Sequence, residues 1–254
     1  YYQADSREIK AMNASGRAPA SLDLKRLASE GFTHELPPYH PYTITVPGAC
    51  AGWCDLVELY GHLSMAEVLA PAIRLAEEGF PVSPITSYFW ENGVEKQLSH
   101  SLGGLELTIN GRAPKPGEIF RNPGLARTLK SVAEFGKDVF YRGEIAEAIV
   151  SVIKEAGGCM SLNDLENHHT TWDQPISTSY RNIQVWECPP NGQGLVALLG
   201  LNILEGFDLT PHKPLSANRL HLEIEALRLA FADALWYVAD PAFNPPPLDW
   251  LLSK

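Results

Sequence analysis

Basic residues are scarce in this 254-residue chain: 20 Lys and Arg stand against 30 Asp and Glu, leaving a formal charge of −10. A surface of that sign repels nucleic-acid phosphates and anionic lipid headgroups, which argues against both partners and leaves small molecules as the expected ligands. Long apolar runs are also missing. No stretch approaches the roughly 18 apolar residues that span a bilayer, and the opening YYQADSREIK carries neither a basic nor an apolar leader pattern. The compartment, cytoplasmic or periplasmic and extracellular, stays open. Cysteine is sparse: Cys50, Cys54, Cys159 and Cys188 give no CxxC pair and no repeated spacing, which points to free thiols. Cys50 and Cys54 would share a helical face, but His62 is the only further ligand nearby, short of the three or four donors of a tetrahedral metal site.

What is present is ordinary globular sequence, 45% hydrophobic and long enough to bury a core. The first dozen residues read as extended chain. SLDLKRLASEGF predicts a short helix with Ser21 as N-cap and Gly31 as stop, and the proline-rich ELPPYHPYTITVPG a loop feeding a short TITV strand. From Ala49 to Leu98 the pattern is helical, with a capping box at Ser64 and Glu67 and a kink or restart expected at Pro71. Asn110-Gly111 signals a turn. Residues 122–158 predict two amphipathic helices, NIQVWECPP a strand, NGQGLVALLGLNILEGF a buried helix, and SANRLHLEIEALRLAFADALWYV a long final helix ending before Asp240-Pro241. With no repeat and no linker, residues 1–254 are expected to form a single, mostly helical domain.

No complete catalytic constellation is visible in these residues. His221 and Glu225 have HxxxE spacing, yet no further histidine is near, so a helix-surface pair is the expectation. His168, His169, Thr170, Thr171 and Asp173 suit a solvated loop, because neighbours in sequence rarely converge on one centre. Asp233 and Asp240 are expected on a helix surface and in a C-terminal turn. The stretch PPNGQGL is different: two prolines fix the exit from a strand, and glycines around Asn191, Gly192, Gln193 and Gly194 open a helix. Backbone amides at such a turn can hold an anion or a carbonyl oxygen, or the glycines serve close packing alone. In ASGRAPAS, Arg17 offers a planar guanidinium suited to a carboxylate, with a surface ion pair as the alternative.

These segments also carry a family likeness. GRAP at 16–19, VPG at 46–48, APAIRLAEEGFPVS, NPGLARTLKSVAEFGKDVFYRGEIAEAIV, GGCMSLNDL, PPNGQG and EALRLAFADALWYVADPAF follow one another in order. Together they resemble the large subunit of the gamma-glutamyltranspeptidases, also called glutathione hydrolases. The resemblance implies an α+β fold, the four-layer αββα sandwich of the N-terminal nucleophile hydrolases, of which this chain would be a mostly helical part. It further implies a precursor that cleaves itself, a threonine at the start of the small subunit as nucleophile, that threonine's own amino group as base, and no cofactor. On this basis no catalytic residue lies in the chain. Arg17 and Asn191, Gly192, Gln193 and Gly194 are the candidate substrate-binding residues, and the small subunit and a small amide, gamma-glutamyl in type, are the expected partners.

Two departures from the resemblance bear on substrate. The family's RExAP arginine would fall at Ser15, with Gly16 in place of its glutamate, so Arg17 is displaced by two residues, about 6.6 Å along extended chain. The PPxSSGG turn reads PPNGQGL, as in the glutathione-hydrolase-like and oxamate-amidohydrolase-like branch. Both point to hydrolysis rather than transfer. The chain stops at LLSK, ahead of the expected threonine, and is predicted inactive alone; the alternative is a truncated, non-catalytic product that only associates with a partner subunit.

Overall fold

Caps and glycine stops decide where the regular elements lie. In the computed structural model, which describes residues 1–254, the strands are β1 (Tyr2–Gln3), β2 (Glu8–Ile9), β3 (Ala11–Asn13), β4 (Phe80–Pro81), β5 (Ile119–Phe120), β6 (Thr171–Asp173), β7 (Ile176–Tyr180) and β8 (Ile183–Glu187). The helices are α1 (Leu24–Ser29), α2 (Ala49–Tyr60), α3 (Met65–Glu78), α4 (Pro84–Lys96), α5 (Pro123–Phe135), α6 (Asp138–Arg142), α7 (Glu144–Glu155), α8 (Leu162–Glu166), α9 (Gly194–Glu205), α10 (Ala217–Tyr237) and α11 (Leu248–Leu251). Strands pair antiparallel and two by two: β1 with β2, β3 with β6, β4 with β5, β7 with β8. The chain divides into two units, Tyr1–Asn13 with Thr171–Lys254, and Ala14–Thr170.

In the first unit, β7 and β8 form a hairpin closed by Arg181 and Asn182, both at positive φ, as a two-residue turn of matching twist requires. Leu195, Val196 and Leu199 of α9 are buried with Ala230 and Ala234 of α10 and Leu251 of α11. The four-residue spacing of Ala226, Ala230 and Ala234 puts three small side chains on one face of α10, so α9 can approach closely. Thr178 on β7 is the one buried polar residue, and its hydroxyl bonds Asn202, whose amide donates to the Leu252 carbonyl at 3.1 Å. The Glu205 carboxylate accepts from the Arg181 amide at 3.0 Å and pairs with the Lys254 ammonium, which also donates to the Ser179 carbonyl.

The second unit is built on one apolar cluster, in which Val46, Cys50, Ala51, Leu69, Leu129, Val132, Val150, Ile153, Met160 and Leu165 surround Tyr141 and Ala146. The helices that supply these residues are well signalled. Asn122 caps α5 ahead of Pro123 and Gly136 ends it at φ 75, while Ser64 with Glu67 and Ser161 with Asp164 form reciprocal capping boxes. The Asn110-Gly111 turn closes an isolated bridge between Ile109 and Arg112. Arg112 then grips Glu118 through both terminal nitrogens, at 2.7 and 2.8 Å, and draws that carboxyl down to about 2.

Four local expectations are corrected. The N-cap of α1 is Asp23, whose carboxylate accepts from the Arg26 amide at 2.7 Å, while Ser21 turns away to donate to the Cys159 carbonyl. The TITV strand does not form. Pro41–Thr43 instead make a 3-10 turn capped by the His40 ring nitrogen, which leaves no partner strand to pair with. No fresh start occurs at Pro71, which α3 runs through, since Pro71 and Glu67, whose carbonyl loses its donor, lie on the exposed face. Residues 122–158 hold a third, short helix, α6, in the interval between the two expected ones. Truncating the fully buried Leu165 to alanine is expected to lower stability by about 2–5 kcal/mol, through lost burial plus the cavity left behind. Urea unfolding followed by far-UV circular dichroism measures this.

Candidate substrate-binding site

β8 ends at Glu187 and α9 starts at Gly194, so the PPNGQG segment is the strand-to-helix turn expected from its sequence. Asn191, Gly192 and Gln193 are exposed, whereas Leu195 and Val196 just beyond are buried. Gln193 is the N-cap but its side chain makes no capping bond; of the first-turn amides, that of Val196 donates back to the Gln193 carbonyl at 3.0 Å, while the earlier ones have no carbonyl one turn back to bond. The turn therefore presents N–H donors and the positive end of a helix dipole. Asn191 Oδ1 accepts from Asn13 Nδ2 at 2.8 Å, which ties the turn to the end of β3.

Two glycines in this turn have different reasons to be there. A Cβ on Gly194 would stand 2.6 Å from Glu187 Oε2, so the helix start is pressed against the end of the strand. A Cβ on Gly192 would meet nothing within 4 Å. The Glu187 carboxylate beside the helix start also supplies negative charge where an anion would otherwise settle. The donors of this turn consequently suit a neutral carbonyl oxygen better than a second carboxylate.

Arg17 belongs to the other unit, where its backbone is tightly held. A Cβ on Gly16 would lie 1.6 Å from the Val46 carbonyl oxygen, and the Val46 amide donates to the Arg17 carbonyl at 3.0 Å. A Cβ on Gly48 would lie 1.8 Å from the Ala14 carbonyl oxygen and 2.9 Å from the His168 ring. Downstream, the Ala20 amide donates to Asp164 at 2.8 Å. The GRAP and VPG segments are thus backbone packed on backbone, and the Arg17 side chain leaves that contact exposed.

The same place corrects the solvated-loop expectation for His168. Its ring lies 5.4 Å from that of Tyr141, tilted by 30°, and its Nε2 is buried without a hydrogen-bond partner. Burial pushes the imidazole below its ordinary value and so favours the neutral ring, with the neighbouring His169 acting in the same direction. Tyr141, 5% exposed, donates its hydroxyl proton to the Pro47 carbonyl at 2.7 Å and accepts from the Ala51 amide at 3.1 Å, and burial raises its phenol well above the usual range. Sequence reasoning missed this pair because 27 positions separate its members. The one signal was the glycine of VPG.

The remaining candidates stay apart. Glu225 pairs with Arg228 one turn along α10, and no three His, Cys, Asp or Glu side chains are grouped so as to hold a metal ion. Thr171 and Asp173 lie on β6 and bond to each other at 3.1 Å.

Rich in helix, with short antiparallel strands, the chain is of the α+β class. Residues 1–254 match the family described as gamma-glutamyltranspeptidase. The glutathione hydrolase-like YwrD proenzyme of Bacillus subtilis is 36% identical over 253 residues, covering 100% of this chain and 48% of that protein. The ACY 1 acylase proenzyme of Pseudomonas sp. strain SE83 is 36% identical over 213 residues, covering 83% of this chain and 38% of that protein. Among solved structures, cephalosporin acylase from Bacillus halodurans superposes with a TM-score of 0.89 at 40% identity, over 97% of this chain and 47% of that one. Gamma-glutamyltranspeptidase from Helicobacter pylori does so with a TM-score of 0.88 at 26% identity, over 100% of this chain and 73% of that one. The fold class is the expected one, α+β of the N-terminal nucleophile hydrolase type. The chain belongs to the gamma-glutamyltranspeptidase family, and it spans about half the length of YwrD and less of ACY 1.

The glycine contacts separate two substitutions. Gly48→Ala is expected to destabilise the fold by about 1–3 kcal/mol, since the new carbon meets backbone that cannot rotate away. Gly192→Ala is expected to stay within about 0.5 kcal/mol of the parent. Thermal unfolding of both variants checks the contrast.

Proposed function

We propose that the whole protein is a self-cleaving amide hydrolase acting on gamma-glutamyl or related small amides such as glutathione, with this chain supplying substrate-recognition residues rather than the nucleophile. The observation that carries the proposal is the family match across all of residues 1–254, together with relatives that are themselves named proenzymes. In this scheme a threonine at the start of the second subunit attacks the amide carbonyl while its own amino group takes the proton. The amine leaves, and water releases the acyl group. Arg17 recognises a substrate carboxylate with its guanidinium fork, and the turn Asn191, Gly192, Gln193 and Gly194 donates to a carbonyl oxygen.

The 40% identity to a cephalosporin acylase favours a second reading within the same chemistry, in which the amide is that of an acylated cephalosporin. Both substrates offer a carboxylate to Arg17 and an amide to the nucleophile.

The small subunit of the same precursor is the proposed partner, and α10 supports it. Leu220, Ile224, Leu227, Phe231 and Leu235 recur along one side of this helix over roughly 22 Å and are all exposed, Leu235 by 87%. Leu229 and the 80%-exposed Trp236 form a second apolar strip, and the alanine face is already used by α9. Exposed apolar strips of this length on one helix are surface that other polypeptide covers.

Purified full-length protein is expected to resolve into two fragments, the smaller beginning with threonine by N-terminal sequencing, and to hydrolyse gamma-glutamyl-p-nitroanilide or glutaryl-p-nitroanilide. A single uncut chain that releases no nitroaniline from either substrate overturns the proposal. Arg17→Ala is expected to raise KM for both substrates about 10- to 100-fold, the worth of a charged hydrogen bond, with little change in self-cleavage.

A further inference from the structure

We infer that His168 is a positioning residue for substrate recognition: its imidazole, backed by Tyr141, holds the Gly48 backbone against the Ala14 carbonyl and so sets where Arg17 stands. This rests on the proposed role of Arg17 as the carboxylate-recognising group.

Three contacts make the chain of support. The Ala14 carbonyl oxygen and the Cε1–Nε2 edge of His168 converge on one point, the place beside Gly48 where a Cβ would be, at 1.8 and 2.9 Å. The buried, unpartnered Nε2 thus faces the same crowded point beside Gly48 as the Ala14 carbonyl. The ring of Tyr141 lies 5.4 Å from that of His168, and the Tyr141 hydroxyl fixes both flanks of Gly48 through the Pro47 carbonyl and the Ala51 amide. Two residues before Gly48, the Val46 amide holds the Arg17 carbonyl and the Val46 carbonyl is pressed on Gly16. A displacement of the imidazole therefore reaches Arg17 through backbone alone, with no flexible side chain to absorb it. The His168 backbone is itself fixed, donating its amide to the Leu165 carbonyl at the end of α8 at 3.1 Å.

Neutrality of the ring is part of the arrangement. A neutral imidazole offers a single N–H to the Gly48 backbone it faces, whereas protonation places a cation in this slot, where Tyr141 supplies no charge and His169 and Lys137 oppose it. The Gly48 backbone and Asp55 on α2 favour the cation, but burial outweighs both, and the Asp55 carboxylate is already paired with Lys137. Acidification below the ordinary imidazole range, about 6.5, thus loosens the support of Arg17 before it reaches the chemistry of the amide.

The test uses the processed full-length enzyme, with glutaryl-p-nitroanilide as the carboxylate-bearing substrate and butyryl-p-nitroanilide as its carboxylate-free counterpart. His168→Ala is expected to raise KM for the glutaryl substrate about tenfold or more, the scale of a misplaced charged hydrogen bond, with kcat changed by less than about threefold and the butyryl substrate unaffected. His168→Phe, which keeps the ring contact with Tyr141 and secures folding if the alanine variant is insoluble, is expected to show a smaller rise in KM and to lose the acid limb of the KM profile. In an Arg17→Ala background neither His168 variant should raise KM further. An unchanged KM in the folded His168→Phe and His168→Ala enzymes, an equal rise for both substrates, or additivity with Arg17→Ala overturns the inference. If Arg17→Ala itself leaves KM unchanged, it is the assignment of Arg17 that fails. If Arg17→Ala raises KM and the His168 variants do not, only the positioning role falls.

Discussion

The arrangement of the second unit depends on a backbone contact that only glycine permits. At Gly16 and Gly48 the chain passes so close to the carbonyls of Val46 and Ala14 that any side chain would overlap them by more than an ångström. Such contacts are expensive to move, because a carbonyl cannot rotate out of the way as a side chain can. They join a segment near the start of the chain to the loop that leads into α2, and through the Tyr141 hydroxyl to α6. What they fix is the root of an arginine. A long, flexible side chain recognises a carboxylate with useful specificity only if its Cα is held, since otherwise binding must pay for ordering backbone as well as rotamers.

The turn before α9 obeys a complementary logic. Its donors are backbone amides, fixed by the helix they begin, and Gly194 lets that helix sit directly against Glu187 at the end of β8. Placing a carboxylate there offsets the positive helix end and discourages a free anion. A neutral amide carbonyl suffers no such repulsion, and it gains more from fixed donors as negative charge develops on its oxygen during attack.

Much of the secondary structure was legible because it is signalled locally. The Ser64-Glu67 and Ser161-Asp164 boxes, the Asn122-Pro123 start and the Gly136 stop each work within one turn, and the segments they bound fold as expected. The failures share a different cause. TITV has strand propensity but finds no partner strand, and Pro71 is tolerated because its freed carbonyl faces water; both outcomes are decided by surroundings that a local pattern does not contain. The PPNGQG turn was legible as a site because its glycines and prolines act on adjacent residues. His168 was not, because what makes it a wedge rather than a loop residue is Gly48, 120 positions earlier in the chain, and Tyr141 on another helix.

The same distinction explains why a likeness of ordered segments says more here than any single motif. The family segments include helix-forming runs such as those of α5 and α7, which unrelated proteins could also contain. They include GRAP and VPG as well, whose Gly16 and Gly48 are required by the close approach of the Val46 and Ala14 carbonyls across the fold. Glycines called for by a distant backbone contact are evidence for a particular tertiary arrangement. Arg17 then inherits its importance from geometry rather than from alignment: the RExAP arginine position is Ser15, yet Arg17 is the guanidinium that follows the crowded Gly16. A two-residue displacement on a rigid segment preserves the direction in which a side chain leaves extended chain, since the alternation has a period of two. What changes is the position of its root along the chain, by about two residue rises.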